Sequence, residues 1–478
     1  MRTRFTCALI FGLSCSGMAA GQEQTTDAKP ARERAAGQEA KVVPDQEATE
    51  AEEMTEEEYE QAMAAAVFDN SSMVEQAVAK ELAYLKKVTK LDDGVIAGLK
   101  LGMKPFIKKE AGRQGQMFGI PSMVSPSLLK AIANAAEQVV PDKKLYSVYR
   151  EDIDLRLRFD EEAAVGAFIQ TLGSMVGLTT SQRPVCEKLA RKLYKQGTIN
   201  GATFLFSQGS LGPVVKAADL KTVLTEKQLK YFKEFNSGQG TAFMLQPTKE
   251  DQSAEQHREE LVGNLRKVIA MKIDQVDGEF KLDAQQRRKL ELVGKSIISK
   301  TVAKRLQAEV EYKQWIAAMQ PGNAGFEQPD PEMMTLATAG PVQLFENQAE
   351  RWDKYVTGAL DDKQKATWKA MKKSQASAVR DSLCYMLVKA FGAQLNLTGK
   401  QQAATHKLMS THLGPVTSGG INSVGMMDSY RGLLDIKDDD FVEAMGDDNW
   451  QTFKPQMDQL KQQIEMMDQK KEDEEADE

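Results

Sequence analysis

Leu397-Thr398-Gly399-Lys400-Gln401 is the stretch that decides the fold. A leucine, an oxygen-bearing side chain, two further residues and a glutamine describe the start of a helix. The Thr398 hydroxyl is placed to accept from an orphan backbone N–H of the first turn, and Gln401 reaches back to the cap's own N–H. The order returns at Leu178-Thr179-x-x-Gln182 and Leu224-Thr225-x-x-Gln228, and with aspartate as the cap at Leu282-Asp283-x-x-Gln286 and Leu360-Asp361-x-x-Gln364. Eleven residues after each leucine stands an apolar residue: Leu189, Phe235, Val293, Met371 and Leu408. Eight residues after it stand Cys186, Phe232, Leu290, Trp368 and Thr405, on the same helix face. Four copies carry a glycine shortly upstream, at Gly177, Gly278, Gly358 and Gly392, which predicts left-handed ends for the preceding helices. Pro184 falls just after Gln182 and predicts a disturbed first turn in that copy.

The copies start 46, 58, 78 and 37 residues apart, which excludes a fixed-period solenoid. The expected architecture is all-α: irregular helical hairpins or a bundle in one or two lobes. Capping boxes at Thr55/Glu58, Ser72/Glu75 and Asp440/Glu443 predict further helix starts, as does Ser125 before Pro126. One stretch reads otherwise. Ile153, Leu155, Leu157 and Phe159 alternate with Asp154, Arg156 and Arg158, the period of a half-buried strand, so a small β-hairpin is expected near 145–159. Prolines and glycines crowd 321–342, which reads as a linker between a helical lobe over 54–320 and a second over 343–467.

The chain of 478 residues has a net charge of −7, concentrated at its ends. Residues 22–53 hold nine acids and four bases, and 468–478 hold seven acids and two bases; the body between them is close to neutral. Both ends are poor in large apolar residues, so 21–53 and 468–478 are expected to be disordered. Residues 1–20 read as a signal peptide: Arg2 and Arg4, an apolar run from Phe5 to Leu13, then small residues. Export to a periplasmic or extracellular space follows, with no later segment apolar enough to span a membrane. Cys7 and Cys15 would leave with the signal. Cys186 and Cys384 then either pair as a disulfide or remain two buried free thiols.

The five motifs, the helical reading and the signal resemble the LTxxQ-motif proteins of the bacterial envelope, the group that includes the Spy and CpxP periplasmic stress proteins. The resemblance implies an exported all-helical protein, and for some members the holding of unfolded clients without ATP. The motif residues themselves read as structural, so it transfers no binding site.

The sequence contains no nucleophile elbow, phosphate loop, dinucleotide fingerprint, paired Cys-x-x-Cys or His-Glu-x-x-His. The three histidines, His257, His406 and His412, share no metal-ligand spacing. The bases Arg287, Arg288, Lys289, Lys295, Lys300, Lys304 and Arg305 lack interleaved aromatics, which argues for a solvated helix face over nucleic-acid binding. Phe453, Met457, Leu460, Ile464 and Met467 step by fours and threes, a short coiled-coil seam or a face packed on its own lobe. The leading expectation is a non-enzymatic binding, chaperone-like or scaffolding protein of the envelope, with a protein partner or unfolded client and no cofactor. The alternatives are a hydrolase or metal enzyme with an unfamiliar carboxylate site, and a structural component that self-associates through 450–467.

Overall fold

A computed structural model describes residues 70–114, 125–200, 215–237, 253–318, 331–414 and 430–477. The expected signal peptide, the segment 21–53 and the Thr55/Glu58 cap lie outside them. Among the described residues there are sixteen α-helices, one 3-10 helix and no strand. The α-helices are α1 (Asn70–Thr89), α2 (Asp93–Gln114), α3 (Pro126–Val139), α4 (Lys143–Val176), α5 (Arg183–Lys195), α6 (Ala217–Leu220), α7 (Glu226–Ser237) and α8 (Ala254–Phe280). They continue as α9 (Ala284–Ala318), α10 (Pro331–Thr338), α11 (Pro341–Glu346), α12 (Ala349–Ala359), α13 (Asp362–Leu395), α14 (Gly399–His412), α15 (Asp438–Met445) and α16 (Asp447–Asp477). The 3-10 turn, Arg431–Asp435, lies between α14 and α15. No described helix is long and apolar enough to cross a membrane.

The expected hairpin at 145–159 is instead the first half of α4. Its alternation arises because the helix is buried on more than one side. Tyr149, Ile153 and Leu157 are spaced by fours and pack in a small core with Val78, Leu82, Leu85 and Ile132 of α1 and α3. Leu155 turns the other way, toward Gly399 at the start of α14. From Phe159 onward the helix enters a second, larger core that runs through to Ile464. There α4 lies antiparallel to α13: Lys389 pairs with Asp160 at 3.0 Å, both almost wholly buried, and Ser382 fills the space a side chain at Gly166 would need.

The division between cores therefore falls within α4, not at the expected linker 321–342. Val342, Leu344 and Phe345 are buried in the larger core along with residues from both expected lobes. The breakers there act as starters. Pro341 opens α11 with Gly340 as its cap, and Pro331 opens α10; an N1 proline gives up only an N–H that has no helical partner.

Three other expectations shift. Ser125 caps α3 through Leu128 N with Pro126 in the first turn, but Ser72 lies inside α1 and Asp440 inside α15. The acidic end 468–477, expected to be disordered, continues α16 as helix; its Lys, Gln and Glu are good helix formers whatever their net charge. Phe453, Met457, Leu460 and Ile464 are buried in the chain's own core, where Phe453 meets the Phe391 ring at 4.4 Å between centroids. Those four side chains are covered within the chain itself, as the reading of a face packed on its own lobe expects.

Candidate functional site

Each motif forms a helix-entry turn. In four of the five the cap is reciprocal. Gln228 N donates to Thr225 Oγ1 (3.3 Å) and Thr225 N to Gln228 Oε1 (3.0 Å). Gln286 N donates to Asp283 Oδ1 (2.8 Å) and Asp283 N to Gln286 Oε1 (3.1 Å). The same pairs form at Asp361/Gln364 (2.8 and 3.1 Å) and at Thr398/Gln401 (3.2 and 2.9 Å). In the first copy Thr179 N still donates to Gln182 Oε1 (3.0 Å), but residues 179–182 form a tight turn and the helix begins only at Arg183, before Pro184. Leu178, Leu224, Leu360 and Leu397 are buried beneath their turns and Leu282 is partly buried. The residues eight on, Cys186, Phe232, Leu290, Trp368 and Thr405, are all buried.

The glutamines do more than cap. With Oε1 held by the cap, each side-chain amide is left with Nε2 to spend elsewhere, and the described geometry aims it at another turn. Gln182 Nε2 donates to Val223 O (3.0 Å) and Gln228 Oε1 (2.7 Å); Gln228 Nε2 donates back to Gln182 Oε1 (2.9 Å) and to Gly177 O (3.3 Å). Gln286 Nε2 donates to Gln364 Oε1 (2.8 Å) and Gln364 Nε2 to Phe280 O (3.3 Å). Gln401 Nε2 reaches Met445 O (2.6 Å), at the turn between α15 and α16. The five motifs thus interlock turns: the first with the second, the third with the fourth, the fifth with the α15–α16 turn. Gln275 Nε2 to Leu178 O (3.0 Å) and Gly278 beneath the Thr179 methyl bring the first two interlocks together.

The upstream glycines divide. Gly177 takes the left-handed conformation, φ 65°, as expected. Gly278, Gly358 and Gly392 lie inside helices, and the left-handed ends are Lys281 and Asn396. Gly392 instead admits the Gln402 side chain, and Gly278 the Thr179 methyl, so these two glycines serve close packing.

The fifth turn also closes the seam between the two cores. Gly399 N donates to Asp152 Oδ1 (2.6 Å). Beside it Arg156 holds Glu81 through two bonds (2.7 and 2.8 Å), with Nε 3.0 Å from Asp152, and Tyr149 OH donates to Glu81 at 2.9 Å. Burial raises the Tyr149 hydroxyl well above its ordinary pKa, and the Glu81 carboxylate adds to the rise. Burial also raises the Asp152 carboxyl, with the Arg156 cation opposing. Such a network is costly to break; a cleft of about 20 Å³ lined by Glu81, Tyr84, Arg156 and Thr398 lies against it.

The residues with reactive potential are engaged or buried. Cys186 and Cys384 are free, so the disulfide alternative is not formed. Burial pushes their thiols up to about 11 and about 12, far from a nucleophile's range. His406 packs against Tyr385 with ring centroids 4.1 Å apart, and burial lowers its pKa. His257 Nε2 lies 2.8 Å from Glu309. Among the described residues no group of three or more His, Cys, Asp and Glu could hold a metal ion.

One surface feature lies at the outer edge of the larger core, where Ile298 and Val302 are buried and Val262 and Leu306 pack partly buried against them. Between α8 and α9 runs an open groove of about 460 Å³. Val262, Ile298, Val302 and Leu306 form its apolar floor, and Arg258, Arg266 and Lys295 stand along its walls. Among the described residues none of these three side chains has an ion pair or hydrogen bond. Ser299 and Ala303 also line the groove, and Leu292 and Val310 flank them at steps of seven along the same face of α9, 58% and 55% exposed. Of the basic cluster expected as a solvated face, Lys295 is the member that lines the groove. Arg258, Val262 and Arg266, four residues apart on α8, carried a signal the sequence reading missed.

No family model matches the chain, and no curated protein or solved structure matches it.

Proposed function

We propose that this is an exported, non-enzymatic binding protein of the bacterial envelope that holds other polypeptides in a chaperone-like manner. The α8–α9 groove carries the reading. It sets three exposed cations, with no ion pair among the described residues, around the outer edge of an apolar core. Exposed apolar side chains scattered singly are ordinary on a folded protein; apolar residues aligned along a helix beside an apolar trough are a binding surface. The buried thiols, the packed histidine and the motif glutamines are employed in holding the bundle together, which leaves recognition to this outer face. The apparent signal sequence and the resemblance of the motifs to the LTxxQ envelope group support the same compartment and the same kind of work.

The test is light scattering from a model client as it unfolds, alone and with an equimolar amount of the mature chain. Suppression that weakens but survives at moderate salt is the expected result, because salt screens the cations of the groove and not its apolar part. Unchanged scattering from a fully helical preparation would overturn the reading.

A further inference from the structure

Resting on that binding reading, we propose that the α8–α9 groove is the seat of an acidic amphipathic helix of a partner protein, one with carboxylates about two turns apart on either side of an apolar pair. The spacing of the cations defines the ligand. Arg258 and Arg266 are eight residues apart on α8, roughly 12 Å along the axis, with Val262 midway between them. Lys295 faces them from α9. A helix laid along the groove with acids at positions i and i+7 sets its carboxylates about 10.5 Å apart, within side-chain reach of both arginines. Its apolar residues at i+3 and i+4 then rest on Val262, Ile298 and Val302.

The ridge on α9 fits the same occupant. Ser299 and Ala303 are small, and small residues let a second helix approach closely, while Leu292 and Val310 grip it at either end. A second copy of this chain is the weaker candidate, because like faces would bring Arg258, Arg266 and Lys295 against their own equivalents with no acid lining the groove. An anionic membrane would answer the charge but not a concave floor, which a flat surface cannot fill.

Fluorescence anisotropy tests the proposal with the mature full-length chain and a labelled helical peptide carrying Glu at i and i+7 and Leu at i+3 and i+4. A twin peptide carries Lys in place of both Glu. Arg258, Arg266 and Lys295 are exposed and their side chains have no bond among the described residues, so Arg258→Glu, Arg266→Glu and Lys295→Glu should leave the fold intact, which circular dichroism checks. The Glu peptide should bind with salt-sensitive affinity and lose about tenfold per reversed cation. The Lys peptide should gain affinity for the Arg266→Glu/Lys295→Glu variant. Equal binding of the two peptides, or binding indifferent to reversal, overturns the proposal. So does capture of phosphatidylcholine–phosphatidylglycerol vesicles, lost on reversal, by a chain that ignores the Glu peptide; a membrane is then the partner. Client scattering separates the two levels of inference. If the wild-type chain suppresses scattering but shows no groove-dependent peptide binding, the chaperone-like reading stands and this assignment fails. If it suppresses nothing, the broader reading fails first.

Discussion

Gln286→Glu separates two accounts of the motif because they predict opposite signs. If the glutamine were only half of a capping box, glutamate would serve as well or better: it keeps an acceptor for Asp283 N and adds negative charge to a first helical turn, worth about 0.3–1 kcal/mol. The interlock gives a different answer. Gln286 Nε2 donates to Gln364 Oε1 at 2.8 Å, and glutamate replaces that donor with a carboxylate oxygen. Losing the bond costs about 1 kcal/mol, and two acceptors left face to face in a half-buried turn cost about 1–2 kcal/mol more. Gln364 cannot rotate its amide away without giving up the Asp361 cap. After the dipole gain is subtracted, the net is a loss of roughly 1–3 kcal/mol. Urea unfolding followed by circular dichroism should show a lower midpoint at unchanged slope. Acid reverses the penalty. The protonated carboxyl again offers a donor, so its folded-state pKa lies above its unfolded one; the loss is complete above the folded value and shrinks as pH falls through it. Gln364→Glu should cost less, since its carboxylate would still accept from both Gln286 and Asp361 N. A stable Gln286→Glu variant at neutral pH would falsify the interlock and reduce the motif to a cap.

Two further outcomes follow from packing and burial. Gly399→Ala trades a helix-propensity gain of at most about 1 kcal/mol against a Cβ 2.5 Å from Leu155 Cβ and 2.7 Å from Asp152 O. Neither atom can yield without moving α14 off α4, so a net loss of about 1–2 kcal/mol is expected in thermal or urea unfolding; an unchanged midpoint would show that the seam is loose. Burial holds the Cys186 and Cys384 thiols up to about 11 and about 12, so at pH 8 less than about 0.1% of either is thiolate. Iodoacetamide should leave both unmodified in the folded chain and label both in urea, as mass spectrometry would read; rapid labelling of either in native buffer would refute its burial.

How much of this was legible in the sequence depends on the range of each interaction. A capping box closes within four residues, so Thr398 and Gln401 or Asp361 and Gln364 announce themselves. The interlocks join residues far apart in the chain, Gln182 to Gln228 and Gln286 to Gln364, and no local pattern says which turn meets which. The alternation at 153–159 misled because a helix buried on two sides loses its polar face, and the remaining charged residues can then fall at every second position. Asp152 and Arg156 would ordinarily mark an exposed face; here they are the buried charges of the seam. Prolines 331 and 341 read as breakers because a breaker and a helix's first residue look alike without the helix that follows. The groove was invisible for a further reason: its cations come from two helices, and neither helix alone shows an apolar floor.

The three groove cations can be judged by what they do for the free protein. A residue kept for the fold has a partner in it: Arg156 holds Glu81, Lys389 holds Asp160, and Lys272 holds Glu346 at 2.8 Å. Arg258, Arg266 and Lys295 have none among the described residues, and they share one trough, where like charges repel one another. Their presence costs the unliganded fold a little and returns nothing to it. Lys295→Glu therefore should leave the melting temperature of the free chain unchanged or slightly raised, because it exchanges a repulsion for an attraction to Arg266. The same change should weaken the acidic peptide and remove the thermal shift that the peptide gives the wild-type chain, since a ligand stabilises only the state that binds it. A groove that served the fold would show the reverse order: a lower melting temperature on charge reversal, and no shift with peptide in either protein.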